Sequence, residues 1–171
     1  MPTYTDAPER VHQLLAKAVS QWHSELLEVE VTFLVQMVHA SRDKDGEPTG
    51  PAIKWGGSGA AAIVRITPLK DRQAGLADVR LLLDGDTWDS RSEAEQLAIL
   101  DHECEHIEVC RDKEGAILAD DIGRPKLRLR PHDWLMGGFD EVMQRHRENA
   151  LETKHADSMV RKWRQLDLPW G

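Results

Sequence analysis

Two histidines four residues apart, with a glutamate beside the first, form the arrangement in this chain best suited to chemistry: Asp101-His102-Glu103-Cys104-Glu105-His106. On a helix, side chains four apart stand one above the other, so both imidazoles can converge on one ion. The glutamate next to the first histidine projects near the open coordination position, where it can take a proton from a metal-activated water. Two neutral imidazoles plus a third nitrogen or oxygen ligand suit tetrahedral zinc, with metal–nitrogen distances of about 2.0–2.1 Å. The spacing therefore predicts His102 and His106 as zinc ligands and Glu103 as general base.

A catalytic site of this kind needs a third protein ligand. The other histidines are His12, His23, His39, His132, His146 and His155. His132 is the favoured third ligand, because it follows a predicted hairpin that can fold back over the motif. Asp133, Glu141 and His146 stay open as alternatives. Asp101 or Asp133 is placed to orient a ligand imidazole through its second nitrogen. His12, His23, His39 and His155 read as ordinary surface or partly buried residues.

The elements that must position these groups follow from periodicity. Residues 7–28 read as an amphipathic helix, with Val11, Leu14, Leu15, Ala18, Trp22 and Leu26 along one stripe. Val29, Val31, Phe33, Val35 and Met37 then alternate with polar residues, as in a half-buried strand. Residues 59–67 and 77–83 are further strand candidates, separated by polar turns. Ser92 with Glu95 forms a capping box that starts the motif helix, with Ser90 and Glu93 as a rival, earlier start, and Gly115 is its expected stop. Residues 116–120 and 126–130 flank Asp121-Ile122-Gly123-Arg124-Pro125 as a β-hairpin. A last helix, capped by Asp133, runs through Phe139, Val142 and Met143 and continues, bent or broken, to Trp163. The first few residues read as disordered. The order helix, strands, helix, hairpin, helix predicts an α+β fold in one domain over residues 1–171, with a core of about 7–149 and a helical extension over 150–171.

Composition narrows the function classes. The 171 residues are 40% hydrophobic and 30% charged, the balance of a globular protein. Twenty-two Lys and Arg against 30 Asp and Glu give a formal charge of -8, which argues against tight non-specific nucleic-acid binding. Cys104 and Cys110 cannot build a disulfide framework and read as free thiols. No secretory signal and no apolar run long enough to span a bilayer is visible, so a soluble, cytoplasmic chain without membrane contact is expected.

Three stretches together resemble the phage metallopeptidase family, a small zincin group allied in architecture to compact gluzincin-like and SprT-like proteases. They are Asp84-Gly85-Asp86-Thr87-Trp88 leading into Leu100-Asp101-His102-Glu103-Cys104-Glu105-His106, then the run from Asp121 to Arg130, then Pro131-His132-Asp133. The resemblance covers roughly residues 29–147. It implies zinc ligands at His102 and His106, a catalytic Glu103, and a third ligand supplied or supported by His132-Asp133. Members of that family continue from His-Asp into two acidic residues and a Phe. Here Trp134-Leu135-Met136-Gly137-Gly138-Phe139-Asp140-Glu141 looks like a two-residue insertion, so Asp140 or Glu141 is the nearest equivalent if a carboxylate of that helix is the ligand. The implied activity is zinc-dependent hydrolysis of a protein or peptide substrate in a host cytoplasm. An extended substrate is expected to add to the strand at residues 79–83. The alternatives are a zincin-fold binding module without turnover, such as a phage anti-defence factor, and a DNA-associated protease.

Other features carry milder expectations. Trp55-Gly56-Gly57-Ser58-Gly59 lacks the Gly-Lys-Ser/Thr ending of a phosphate loop and reads as a flexible connector. Arg124, Lys126, Arg128 and Arg130 make the hairpin basic, either as a solvated face or as a contact for an acidic protein or nucleic acid. Arg161-Lys162-Trp163-Arg164 is a second small basic patch.

Overall fold

A computed structural model describes residues 1–133 and 137–165, with side chains through Lys162. Trp134, Leu135 and Met136 of the expected insertion, and Trp163 and Arg164 of the second basic patch as side chains, lie outside that description.

The fold is α+β, as the periodicities predict. Helix α1 (Glu9–Trp22) buries Val11, Leu14, Leu15, Ala18 and Val19. The chain then leaves helical geometry at His23 (φ −128, ψ 44) before α2 (Ser24–Glu28), so the expected single helix is two. The hydrophobic pattern runs on through the break. What interrupts it is polar: the His23 ring donates from Nε2 to Asp101 Oδ1 at 2.6 Å.

Four strands form one mixed sheet in the order β1 (Thr3–Asp6), β2 (Phe33–His39), β6 (Val79–Asp84), β5 (Ala62–Ile66). Strand β6 runs parallel to β2 and antiparallel to β5. Alternation sorts the faces. Val35, Met37, Leu81, Leu83, Ala62 and Val64 join the helix-side core, whereas Val38, Leu82 and Ile63 form a smaller cluster with Ile53 on the other face. Strand β1 pairs with β2 where a disordered start was expected; all four of its residues are exposed, so no burial pattern announces it. The Trp55-Gly56-Gly57-Ser58 segment is a tight hairpin between β3 (Lys54–Trp55) and β4 (Ser58–Gly59). Both central glycines have positive φ, +55 and +87, as a turn that follows the right-handed strand twist requires. A short helix, α3 (Leu69–Gln73), links β5 to β6.

Helix α4 (Glu93–Glu105) starts at the predicted capping box. The Ser92 side chain accepts from Glu95 N–H, and the Ser92 N–H donates to Glu95 Oε2 at 2.8 Å. It ends at His106, well before Gly115, because Ile107 and Val109 are β-branched residues two apart and both are buried as strand β7 (Ile107–Val109). Its partner is β8 (Leu127–Leu129), with Ile107 opposite Leu129. Residues 116–120, expected as a hairpin strand, make only isolated bridges and loop hydrogen bonds. Two turns flank them, in which Asp112 and Asp120 each accept two backbone N–H bonds through Oδ1. The last helical region is α5 (Asp140–His146) and α6 (Leu151–Gln165), separated at Arg147, whose φ is +49. Helix α5 starts at Asp140 with Phe139 at its N-cap, not directly after Asp133 as expected, because Gly137 has a non-helical positive φ of +78; Asp133 still accepts from the Asp140 N–H at 3.1 Å. Among the described residues no helix is long and apolar enough to cross a membrane.

One buried ionic knot ties the long loop after β7 to the sheet. Asp78 Oδ2 accepts from the Thr32 N–H (2.9 Å), the Thr32 hydroxyl (2.8 Å) and Arg124, and Arg72 bridges Asp78 (3.6 Å) to Asp120 (2.8 Å). Removing one member leaves buried charge uncompensated. We expect Asp78→Ala to cost about 3 kcal/mol in urea unfolding, read as a lower midpoint with an unchanged slope.

Candidate metal centre

Helix α4 brings His102 and His106 to one side of its last turn, and the β7–β8 ladder brings His132 to meet them. The 26 residues between His106 and His132 are a long loop in sequence but a short one in space. Leu129 pairs with Ile107, and the Arg130 N–H donates to the His106 carbonyl at 2.7 Å. His132 therefore stands only a few residues past the closed end of the ladder. The candidate nitrogens of His102, His106 and His132 all lie within 4.8 Å of one another. The ring centroids are 5.1 Å (His102–His106), 5.0 Å (His102–His132) and 4.5 Å (His106–His132) apart. Phe139, completely buried, packs against all three rings at 4.8–5.1 Å.

The second nitrogens of two rings are already committed. His102 Nδ1 donates to Glu152 Oε1 at 2.6 Å, and His106 Nδ1 donates to the Arg130 carbonyl at 2.8 Å. These bonds place the lone pairs of both Nε2 atoms on the inner side, the arrangement expected of ligand imidazoles. His102 Nε2 and His132 Nε2 are 3.1 Å apart. Two imidazole nitrogens at that distance need a proton or a cation between them. The spacing is close to the ~3.3 Å edge of a tetrahedron with metal–nitrogen bonds of 2.0–2.1 Å. The donor set thus fits a borderline divalent ion such as zinc.

The electrostatics are divided in the same way. Burial pushes the His106 imidazole down to about 4, and neighbouring His102, His132 and Arg130 add to that. Burial also lowers His132. Burial opposes charge on His102 as well, but the Glu152 bond and the nearby Glu103, Glu152 and Asp101 carboxylates outweigh it and raise its pKa. Glu103 is pushed up to about 7, chiefly by burial, with His102 and the Val64 backbone N–H acting in the opposite direction. A carboxyl poised there can both accept and return a proton near neutral pH.

Glu103 and the three imidazoles line a cleft of about 660 Å³. One wall is strand β5 with Ala60 and Ala61, and Ile99, Leu129 and Leu151 add apolar surface. The exposed Trp55, on the β3–β4 hairpin, also lines it. This corrects the expected substrate edge. Strand β6, which contains residues 79–83, is hydrogen-bonded to β2 on one side and β5 on the other, so its backbone has no free edge. Among the described residues β5 pairs with β6 alone, and its outer side faces the cleft.

The remaining sequence candidates fall elsewhere. His146 is buried and donates from Nε2 to Asp101 Oδ2 at 2.9 Å. Glu141 lies 3.7 Å from Arg130. Neither these two nor Asp133 and Asp140 belong to the three-imidazole group. Asp101 and Asp133 orient none of the three rings. Asp101 holds His23, Arg145 and His146, and Asp133 accepts from Arg130 at 2.8 Å. The group that does orient His102 is Glu152, in the stretch expected to be a mere extension. Its only signal in the sequence is an acidic residue beside Leu151 at the start of an amphipathic helix.

A second group, His23, Asp101 and Glu105, also has its ligand atoms within 4.8 Å. Arg145 Nη1 already supplies its cation, at 2.9 Å from Asp101 and 3.1 Å from Glu105. Three of the four basic residues of the hairpin are likewise paired with acids, and Lys126 is exposed. Arg128 pairs with Glu108 directly across the ladder, Arg124 with Asp78, and Arg130 with Glu105 and Asp133. Cys104 is buried and its thiol is pushed far up by that burial, so it is unreactive.

No curated protein and no solved structure matches this chain. The family described as "Putative phage metallopeptidase" matches residues 3–165, nearly the whole length, and the chain belongs to that family.

Proposed function

We propose that this protein is a zinc-dependent peptidase in which His102, His106 and His132 hold the metal and Glu103 is the general base. The observation that supports this most directly is the 3.1 Å approach of His102 Nε2 and His132 Nε2, with His102 held by Glu152, the adjoining His106 held by the Arg130 carbonyl, and all three rings packed on Phe139. A pure scaffold has no need of a buried Glu103 facing the same cleft.

When bound, zinc supplies Lewis-acid polarisation of the scissile carbonyl and lowers the pKa of the attacking water. The chain's own residues do the rest. Glu103 takes the proton of the attacking water and returns it to the amine nitrogen as the C–N bond breaks. Glu152 and the Arg130 carbonyl keep two rings in the tautomer that leaves Nε2 free. The outer edge of β5 offers backbone groups on which an extended peptide can lie as an added strand. The apolar cleft wall excludes water from the reacting bond. A cytoplasmic site of action, in the host where the gene is phage-borne, accords with free thiols in Cys104 and Cys110.

Three substitutions separate the roles. Glu103→Gln should bind one zinc per chain, as the wild type does, and lose peptide hydrolysis by at least about 100-fold. His132→Ala should lose most of its zinc in competition with a chromophoric chelator, and unchanged affinity there would exclude it as the third ligand. Glu152→Gln should retain the site with zinc affinity weakened roughly 10–100-fold.

A further inference from the structure

We infer that Arg91 is a carboxylate-recognition site at one end of the cleft. It would select peptides carrying an acidic side chain or a free C-terminus three to five residues from the bond at the metal centre. The inference rests on the peptidase reading for its substrate class, and on geometry of its own for the charge.

Among the described residues that line the cleft, Arg91 is the one lysine or arginine. It is half-buried just before the Ser92 cap of α4. Its Nη2 donates to Thr87 Oγ1 at 3.0 Å, its Nε is buried without a hydrogen-bond partner, and its Nη1 makes no hydrogen bond among the described residues, so the Nη edge is the one a ligand can reach. Among the described residues no carboxylate forms an ion pair with it. The contrast with Arg124, Arg128, Arg130 and Arg145 is plain, since each of those already faces an acid. Asp84, which also lines the cleft, accepts from the Asp86 N–H at 3.0 Å. A guanidinium left partly desolvated with unused donors is matched by a planar carboxylate, which accepts two of its N–H groups together.

The fold also gives the distance and the direction. Helix α4 advances about 1.5 Å per residue, so its first residue, Glu93, stands roughly 14 Å from His102; Arg91 is two extended residues before it, and its long side chain, which lines the same cleft, takes up part of that span. An extended peptide covers it in three to five residues at about 3.3 Å each. The Asp84 N–H donates to the Ala61 carbonyl at 2.9 Å, which sets the start of β5 beside the turn that carries Thr87 and Arg91. Val64, two residues into β5, is level with Glu103. A peptide laid antiparallel on β5, the more stable ladder, runs from Glu103 toward Arg91. The recognised carboxylate is thus on the C-terminal side of the scissile bond.

The test offers the full-length zinc-loaded chain a peptide pool with Glu, Gln or Lys at each of the third to fifth positions on either side of the cleaved bond. A second pool ends at those positions with a free or an amidated C-terminus. Expected is a preference of roughly tenfold or more in kcat/KM for Glu on the C-terminal side, or for the free terminus, and the two pools distinguish these sources. Arg91→Lys should keep the preference, Arg91→Gln should erase it, and Arg91→Glu should invert it toward Lys. Loss of packing alone would not produce that inversion. Binding of the same labelled peptides to the Glu103→Gln chain, by fluorescence anisotropy, reads recognition without turnover. Cleavage indifferent to the acid and to Arg91→Glu overturns this inference and leaves the peptidase reading intact. Binding that follows the acid and Arg91 without any cleavage by the wild type overturns the peptidase reading and leaves the inference intact. Neither cleavage nor binding of any peptide overturns both.

Discussion

A carboxylate with no exposure to solvent has to be held by partners, and Asp101 is held by three. His23 donates from the α1–α2 junction, while Arg145 and His146 donate from the end of α5. Burial works against its charge, and the two histidine hydrogen bonds with the Arg145 cation outweigh that, so its carboxyl stays well below the ordinary range. Asp101 immediately precedes His102. The contacts that stabilise its charge therefore fix the last turn of α4 against both the N-terminal and the C-terminal helices. The break at His23 follows from this, because the ring can reach Asp101 only if the helix yields. A neutral residue at this position would leave His23, Arg145 and His146 without their common charged acceptor, and α5 would keep only the Arg145–Glu105 pair as its ionic attachment to the helix that bears the motif.

The imidazoles then stand on a second layer drawn from other parts of the chain. Arg130 does two things at once: its backbone closes the ladder on His106 through one bond in each direction, and its side chain lies over Phe139, 5.0 Å from the ring. The same guanidinium reaches Glu105 and Asp133, one at the end of α4 and the other beside His132. The arginine that looked like a nucleic-acid contact in the sequence is thus a brace between the two segments that carry the clustered imidazoles. Its charge is consumed internally. The same holds for Arg124 and Arg128, whereas Arg91 lines the cleft and, among the described residues, pairs with no acid.

Much of this was legible in advance where periodicity and local chemistry speak for themselves. The capping box at Ser92 and Glu95, the alternation of Phe33, Val35 and Met37, and the His-Glu-x-x-His spacing all reappear in place. Each depends on residues close together in the chain. The misses were of another kind. Strand β1 has no buried face to betray it, and the hairpin was read from its turn rather than from the Ile107–Leu129 register that organises it. Strand β6 had the right residues but the wrong neighbours, since sequence cannot say whether a strand is central or at an edge. Glu152 was illegible because its partner is 50 residues away, and a glutamate near the start of a helix normally has a local explanation.

That distance also shows how the site is linked to folding. The three imidazoles come from α4 and from the segment after β8, and the carboxylate behind His102 comes from α6. Lys154, on the same helix, reaches back to Glu95 at the opposite end of α4. Helix α6 is therefore attached along α4 at two points, one at the cap and one at the His102 ring. Each imidazole costs conformational freedom to place, and an ion shared by the three recovers it only in the folded chain. Metal binding should therefore reinforce the contacts that already join α4, β8 and α6, and those contacts should in turn determine how tightly the ion is held. Because Glu152 belongs to both sets, the C-terminal helix is a structural part of the centre rather than an appendage to it.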